Sequence, residues 1–289
     1  MASEIYLGCE QLGGTDWGDY DIDETIELSK AALKIGFHGF DIADCYSLGL
    51  AEMRLSEVVG NSNSRINFIT KGGIRWESKN KRAITWKDSS PEYLESAVKN
   101  SIKRLNIGKI PIYLIHWYDP RVDIIESLKL LNSLKESGYI EKIGVANPSI
   151  NWLSNSEILS LIDHIQVNDN IIKPFPFPKN FEENKIKFNI SVSSYGILFH
   201  GMLTNKYNED SSFPINDRRY RMPDFNNQNF ISRRNDLYKT AVSQNKPIEE
   251  IAISHCVNKP IIDILIIGCK TRSQAISNVN FFKNAMIMK

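Results

Sequence analysis

An alternation constrains this chain more than any other feature. Eight short apolar runs, each ending in polar residues, are separated by longer amphipathic stretches. The runs are Ile5–Leu7, Gly39–Ile42, Asn67–Thr70, Ile112–Ile115, Lys142–Val145, His164–Val167, Asn189–Ser193 and Ile262–Ile267. Rich in Ile, Val, Leu and Phe, they predict strands buried on both faces, as in a parallel sheet covered by helices. The stretches between read as those helices. Ser90-Pro91-Glu92 opens one with a capping hydroxyl, a proline at the first helical position and an acid at the positive end. Leu94, Ala97, Val98, Ser101, Ile102 and Leu105 then share a face. Ile124–Lys135 predicts a second helix, stopped at Gly138, and Glu249–Val257 a third, ending before Pro260.

Eight such strand–helix units in 289 residues predict one closed (β/α)8 TIM barrel spanning residues 1–289, a fold that needs about 250 residues. No Pro/Gly/Ser-rich linker divides the chain. An open doubly wound sheet is the alternative, but no G-x-G-x-x-G follows a strand. A net charge of +1 supplies no field for nucleic acid or an anionic membrane, so neither is expected as a partner. No apolar stretch reaches the roughly 18 residues a membrane helix needs, and no signal segment opens the chain, so a cytoplasmic protein is expected. Cys9, Cys45, Cys256 and Cys269 are widely spaced and read as reduced thiols; with five scattered histidines they predict no metal site.

In barrels of this kind the chemistry sits where strands end. Asp41 and Tyr46 follow the second run, Lys71 the third and His116 the fourth. Each is unremarkable alone, since a Tyr near a strand end is usually packing and a Lys usually solvated. Together they answer one another's needs. Reducing a carbonyl by hydride requires a proton for the developing alkoxide, and a phenol near pKa 10 is poorly matched to neutral pH. A neighbouring ammonium, Lys71, is expected to lower the Tyr46 pKa, and a buried ammonium needs a carboxylate, Asp41. A neutral His116 would orient the substrate oxygen. Two long segments, Gly72–Ser89 and Leu203 to about Asn227, read as loops over this mouth, the second holding Lys206, Arg218, Arg219 and Arg221. Trp17, Trp76, Trp86, Trp117 and Tyr118 are candidate pocket walls.

Nearly the whole chain resembles the aldo-keto reductases. FDIADCYSLGLAE is similar to that family's FDTAxxYGxGxSE; FITKGG, LIHWYDP and KIGVANPS resemble its third-, fourth- and fifth-strand motifs. HIQVNDN resembles Q-x-x-Y-N, SSYGILFHGMLTNKY the segment after the seventh strand, and IIGCKTRSQAISN its IPGxRxxEQxxxN. The set looks most like the bacterial branch of inositol-operon and general-stress reductases. The resemblance implies a catalytic tetrad of Asp41, Tyr46, Lys71 and His116, and NADP(H), with NAD(H) as an alternative. It implies Tyr195 stacking on the nicotinamide, Asn147 and Gln166 on its carboxamide, and Gly201, Leu203 and Lys206 along the pyrophosphate under a loop carrying Arg219. Lys270, Gln274 and Asn278 would hold the adenosine end. A short helix over Ser273–Phe282 fits a phosphate site there. Ala146, Asp169 and Ser277 depart from the family's usual Ser, Tyr and Glu, and Ile197 and Ile267 from its prolines.

The expected activity is interconversion of an aldehyde, ketone or sugar-like carbonyl with its alcohol. Two other readings stand beside it: a cofactor-binding regulatory or redox-sensing subunit, and a Schiff-base enzyme using Lys71.

Overall fold

A computed structural model describes residues 2–60, 66–79, 82–208 and 210–287. In chain order the elements are β1 (Glu4–Gly8), α1 (Ile22–Ile35), β2 (Gly39–Asp41), α2 (Leu50–Val59), β3 (Asn67–Gly72), β4 (Ile74–Lys79), β5 (Arg82–Lys87) and α3 (Pro91–Leu105). β6 (Ile110–Ile115), α4 (Ile124–Glu136), β7 (Ile140–Ala146), α5 (Ser156–Leu159), β8 (His164–Asn168) and α6 (Phe181–Lys187) follow. β9 (Ser191–Tyr195), α7 (Gln228–Ser243), α8 (Ile248–Val257), β10 (Ile264–Gly268) and α9 (Arg272–Ile287) complete them. Among the described residues eight parallel strands close a barrel in the order β1-β10-β9-β8-β7-β6-β3-β2. This is the (β/α)8 architecture the alternation predicts.

Strand alternation sorts the core into two layers. Tyr6, Ile69, Ile112, Leu114, Ala146, Ile264 and Ile266 fill the barrel's interior as one cluster. Their neighbours Ile5, Leu7, Phe40, Phe68, Val145 and Ile165 pack outward with helix residues such as Leu28, Leu94 and Leu128. Close strand packing explains Gly144: a Cβ there would lie 1.8 Å from the His164 carbonyl oxygen. His164 itself is fully buried, yet satisfied by the hydroxyls of Ser191 at 2.6 Å and Ser193 at 2.7 Å. Burial pushes its pKa down to about 3, so it stays neutral. The helix starts are capped as the residue types require. Ser90 Oγ accepts from Tyr93 N at 3.4 Å, and Asp21, Asp123 and Asn227 cap α1, α4 and α7.

Three differences from the sequence reading bear on the site. Part of Gly72–Ser89 is not a loop: Ile74–Lys79 and Arg82–Lys87 pair as an antiparallel hairpin beside the mouth. The last helix runs further than Ser273–Phe282, to Ile287. The seventh barrel strand sits two residues later than Asn189–Ser193, ending at Tyr195. That shift places Tyr195, paired with Asn168, at the rim.

Candidate active site

β2 ends in Asp41, β3 carries Lys71, and His116 follows β6, so adjacent strands deliver all three to one end of the barrel. Lys71 Nζ donates to Asp41 Oδ1 at 2.8 Å and to the Ile42 carbonyl at 2.7 Å. Asp41 Oδ2 accepts from Gln166 Nε2 at 2.8 Å. Tyr46 lies in the turn after β2, its ring centre 5.6 Å from the Lys71 ammonium. The Tyr46 and His116 rings meet edge-on with centroids 5.8 Å apart. Cys45 Sγ lies 3.5 Å from His116 Nδ1. The four residues expected to act together therefore form a chain, Asp41 to Lys71 to the Tyr46 ring to His116.

Their electrostatics differ from expectation at one point. The Tyr46 phenol is not lowered overall. Burial raises its pKa well above the ordinary value, and the carboxylates of Glu10 and Asp41 and the Cys45 thiol add to this, opposed by Arg218. Asp41, 2.8 Å from the Lys71 ammonium, opposes that cation at the Tyr46 ring, and burial outweighs any lowering. His116 moves the other way. Burial, then Lys71 and Arg218, hold its pKa well below the ordinary value, so it is neutral.

A cavity of about 820 Å³ opens over these groups. Asp41, Tyr46 and His116 line it, whereas Lys71, 1% exposed, lies behind them. Asn147, Gln166 and Tyr195 form one wall; Asn147 accepts from the Tyr195 hydroxyl at 2.6 Å and donates to the His116 carbonyl at 3.1 Å. Asn147 adopts φ 53°, a left-handed conformation that Asn tolerates. Gly201, Lys206 and Arg219 line the middle, and Lys270, Gln274 and Asn278 the far end. Leu203 does not line it: its fully buried side chain packs with Phe199, Met202 and Phe230. Of the candidate aromatic walls, Trp17 and Trp117 face the cavity. Trp76 lines a separate small pocket with Asp44, Trp86 stacks with Arg75, and Tyr118 packs on Trp152.

Lys270 is not a free surface cation. Its Nζ donates to the Trp17 carbonyl at 2.6 Å and lies 4.7 Å from the Tyr20 ring centre. Burial, with Arg219 and Lys206 nearby, lowers its pKa to about 8. Arg219 is likewise anchored. Its Nε donates to Asp217 Oδ1 at 2.8 Å and its guanidinium lies 4.1 Å from the Phe213 ring centre. Gln274 turns its Oε1 to the Lys270 backbone N–H at 2.9 Å. Asp169, where a Tyr was expected, is buried and holds Lys259 at 2.6 Å.

The second long segment crosses the cavity as a strap. Trp17 and Asp217 form an antiparallel bridge, Arg218 N donates to the Asp16 carbonyl at 2.9 Å, and Arg221 pairs with Asp16 at 3.1 Å. Arg218 thereby reaches Glu10, just past β1, in an ion pair that lines the same cavity as Tyr46. The sequence reading missed Glu10. The signal is its position, because Glu10 follows β1 as Tyr46 follows β2 and His116 follows β6.

The family model for the aldo/keto reductase family matches residues 4–287. The chain belongs to the aldo/keto reductase family. Its members interconvert carbonyls and alcohols, so it is an oxidoreductase. It is 30% identical over 283 residues to the aldo-keto reductase YhdN of Bacillus subtilis, covering 94% of this chain and 83% of that one. It is 29% identical over 225 residues to the NADH-specific methylglyoxal reductase of Escherichia coli, covering 72% and 67% of the two chains. Among solved structures, the glycerol dehydrogenase AKR11B4 of Gluconobacter oxydans superposes with a TM-score of 0.80 at 26% identity, over 96% of this reductase chain and 85% of that one. Among the described residues of this family member, no helix is long and apolar enough to cross a membrane.

Proposed function

We propose that the chain reduces a small carbonyl compound with NADP(H), Tyr46 giving its proton to the substrate oxygen. The observation that carries this reading is the convergence of Tyr46, His116, Asp41 and the Tyr195–Asn147 pair on one end of a cavity along whose remaining wall lie Lys206, Arg219 and Lys270. The residues fit a nicotinamide dinucleotide. At 820 Å³ the cavity lies within the roughly 300–1,000 Å³ range of ligand sites. The Gln11 Oε1, Trp17 Nε1 and Glu249 Oε2 atoms on its wall are buried without partners among the described residues. Gly201, at φ 95°, leaves room that a Cβ, 3.0 Å from the Tyr207 ring, would crowd. The bound dinucleotide supplies the hydride.

Every other requirement falls to the protein. Tyr195, its hydroxyl tethered to Asn147, offers a flat wall, and Asn147 and Gln166 offer amides beside it. Lys206, Arg219 and Lys270 offer cationic donors for phosphates. Tyr46 keeps its proton in the resting site, which a general acid needs, and releases it to an oxygen that gains negative charge beside it. His116 is neutral, and its ring on the cavity wall can offer a hydrogen bond to the same oxygen. Lys71 and Asp41 fix this arrangement from behind. A Schiff base on Lys71 is disfavoured, because its nitrogen is an ion-paired ammonium off the cavity wall.

The test is steady-state turnover of a panel of aldehydes with NADPH and with NADH. Turnover with NADPH preferred is expected. Equal or better use of NADH, the preference named for the Escherichia coli relative, would overturn the NADP(H) assignment. Cofactor binding without turnover of any carbonyl would favour the regulatory-subunit reading.

A further inference from the structure

Glu10 and Arg218 form an ion pair inside the cavity, yet 26% and 36% of their side-chain surfaces remain accessible. Neither is placed by accident. Glu10 opens the short turn Glu10–Gly13 directly after β1. Arg218 is fixed by its backbone bond to Asp16, by the neighbouring Trp17–Asp217 bridge, and by its guanidinium lying 5.5 Å from the Trp17 ring centre. The tetrad does not use either residue, and neither pairs with Lys206, Arg219 or Lys270. Both act on the reacting centre. The Glu10 carboxylate raises the Tyr46 and Tyr195 phenols, and Arg218 lowers both and disfavours protonation of His116.

We propose that the Glu10–Arg218 pair selects the substrate, favouring uncharged carbonyl compounds that carry a hydroxyl group next to the carbonyl. This rests on the reductase reading above. A hydroxyl can donate to the Glu10 carboxylate and accept from an Arg218 N–H at once, leaving the pair intact. A substrate carboxylate or phosphate meets a guanidinium whose charge is already compensated, and it is repelled by Glu10. An apolar group desolvates both charges and returns no hydrogen bond. The pair therefore discriminates against both neighbours of a hydroxy-carbonyl compound, the acid and the alkane.

Two matched series test this: acetone, hydroxyacetone and pyruvate, and propanal against glyceraldehyde. In the wild type the hydroxylated member is expected to exceed the unsubstituted one about ten- to a hundredfold in kcat/KM, as one charge-assisted contact allows. Pyruvate should do no better than acetone. Glu10→Gln frees the Arg218 charge and should shift preference toward pyruvate. The double variant Glu10→Gln/Arg218→Met, which leaves neither charge unpaired, should bring the hydroxyl ratio close to one. Equal kcat/KM for hydroxyacetone and acetone in the wild type overturns the proposal, as does a hydroxyl ratio that survives the double variant. Turnover of none of these or of the aldehyde panel, with either cofactor, overturns the reductase reading and this proposal with it.

Discussion

Lys71 Nζ lies 2.8 Å from Asp41 Oδ1, with the two side chains only 1% and 7% exposed. Removing one partner of such a pair leaves a buried charge uncompensated, at a cost of about 3–5 kcal/mol. Lys71→Met should therefore lower the melting temperature well before its catalytic effect is read, and Asp41→Asn/Lys71→Met should recover much of the loss. Thermal melts of wild type, both single variants and the double check this. A Lys71→Met protein as stable as the wild type would mean that the ion pair does not hold the site.

Tyr46→Phe removes the hydroxyl and keeps the ring. Its edge contact with His116 should survive, with little change in the melt. Single-turnover hydride transfer should slow by about 10²–10⁴, the usual share of a positioned general acid. A variant keeping more than about a tenth of the wild-type rate would pass the proton-donor role to another group, His116 first.

The Lys270 pKa of about 8 makes cofactor choice depend on pH. The ammonium is charged below that value and neutral above it, and a bound phosphate favours the charged form. NADPH preference over NADH should thus be full near pH 7 and weaken above pH 8, by up to about tenfold per pH unit. Fluorescence titrations at pH 7 and 9 measure it. The ratio in Lys270→Ala should be lower and flat across that range; a wild-type ratio that is equally flat would remove Lys270 from phosphate recognition.

Asp44 gives an inverted pH dependence of stability. Both carboxyl oxygens are buried without partners among the described residues. Burial, reinforced by Glu52 and opposed by Arg104, the nearby Cys45 backbone N–H and Lys71, raises its pKa well above 3.8. A native pKa above the unfolded one favours folding only while the group is protonated. That contribution is complete below about pH 4 and is lost as pH rises through the raised native value. Asp44→Asn should leave stability near pH 4 almost unchanged and raise it at pH 7, by about 1.4 kcal/mol for each pH unit of the difference. Melts at the two pH values decide it; a destabilised variant at pH 7 would show that the carboxylate is satisfied.

The parts of this reductase that could be read from its sequence are those whose meaning is local. Asp41 and Tyr46 are five residues apart in one motif, and Lys71 and His116 each close an apolar run, so position along a strand already places them. Glu10 and Arg218 are 208 residues apart and meet only because a strap bridges the barrel mouth, which no string pattern records. The β4–β5 hairpin carries alternating Ile74, Trp76 and Ile84, Trp86, but its connection is built of Lys, Asn and Arg rather than Asn-Gly or Gly-Gly. Leu203 shows a different limit: a motif can place a backbone position without revealing where the side chain points.

The strap also bears on the timing of catalysis. Residues 214–221 cross the cavity and are fastened on its far side by the Trp17–Asp217 bridge, the Glu10–Arg218 pair and the Asp16–Arg221 pair. If a dinucleotide lies beneath this crossing, its release would require those ties to part. Stopped-flow traces in which the first turnover outpaces those that follow are the expected sign that parting of these ties, rather than hydride transfer, sets the pace.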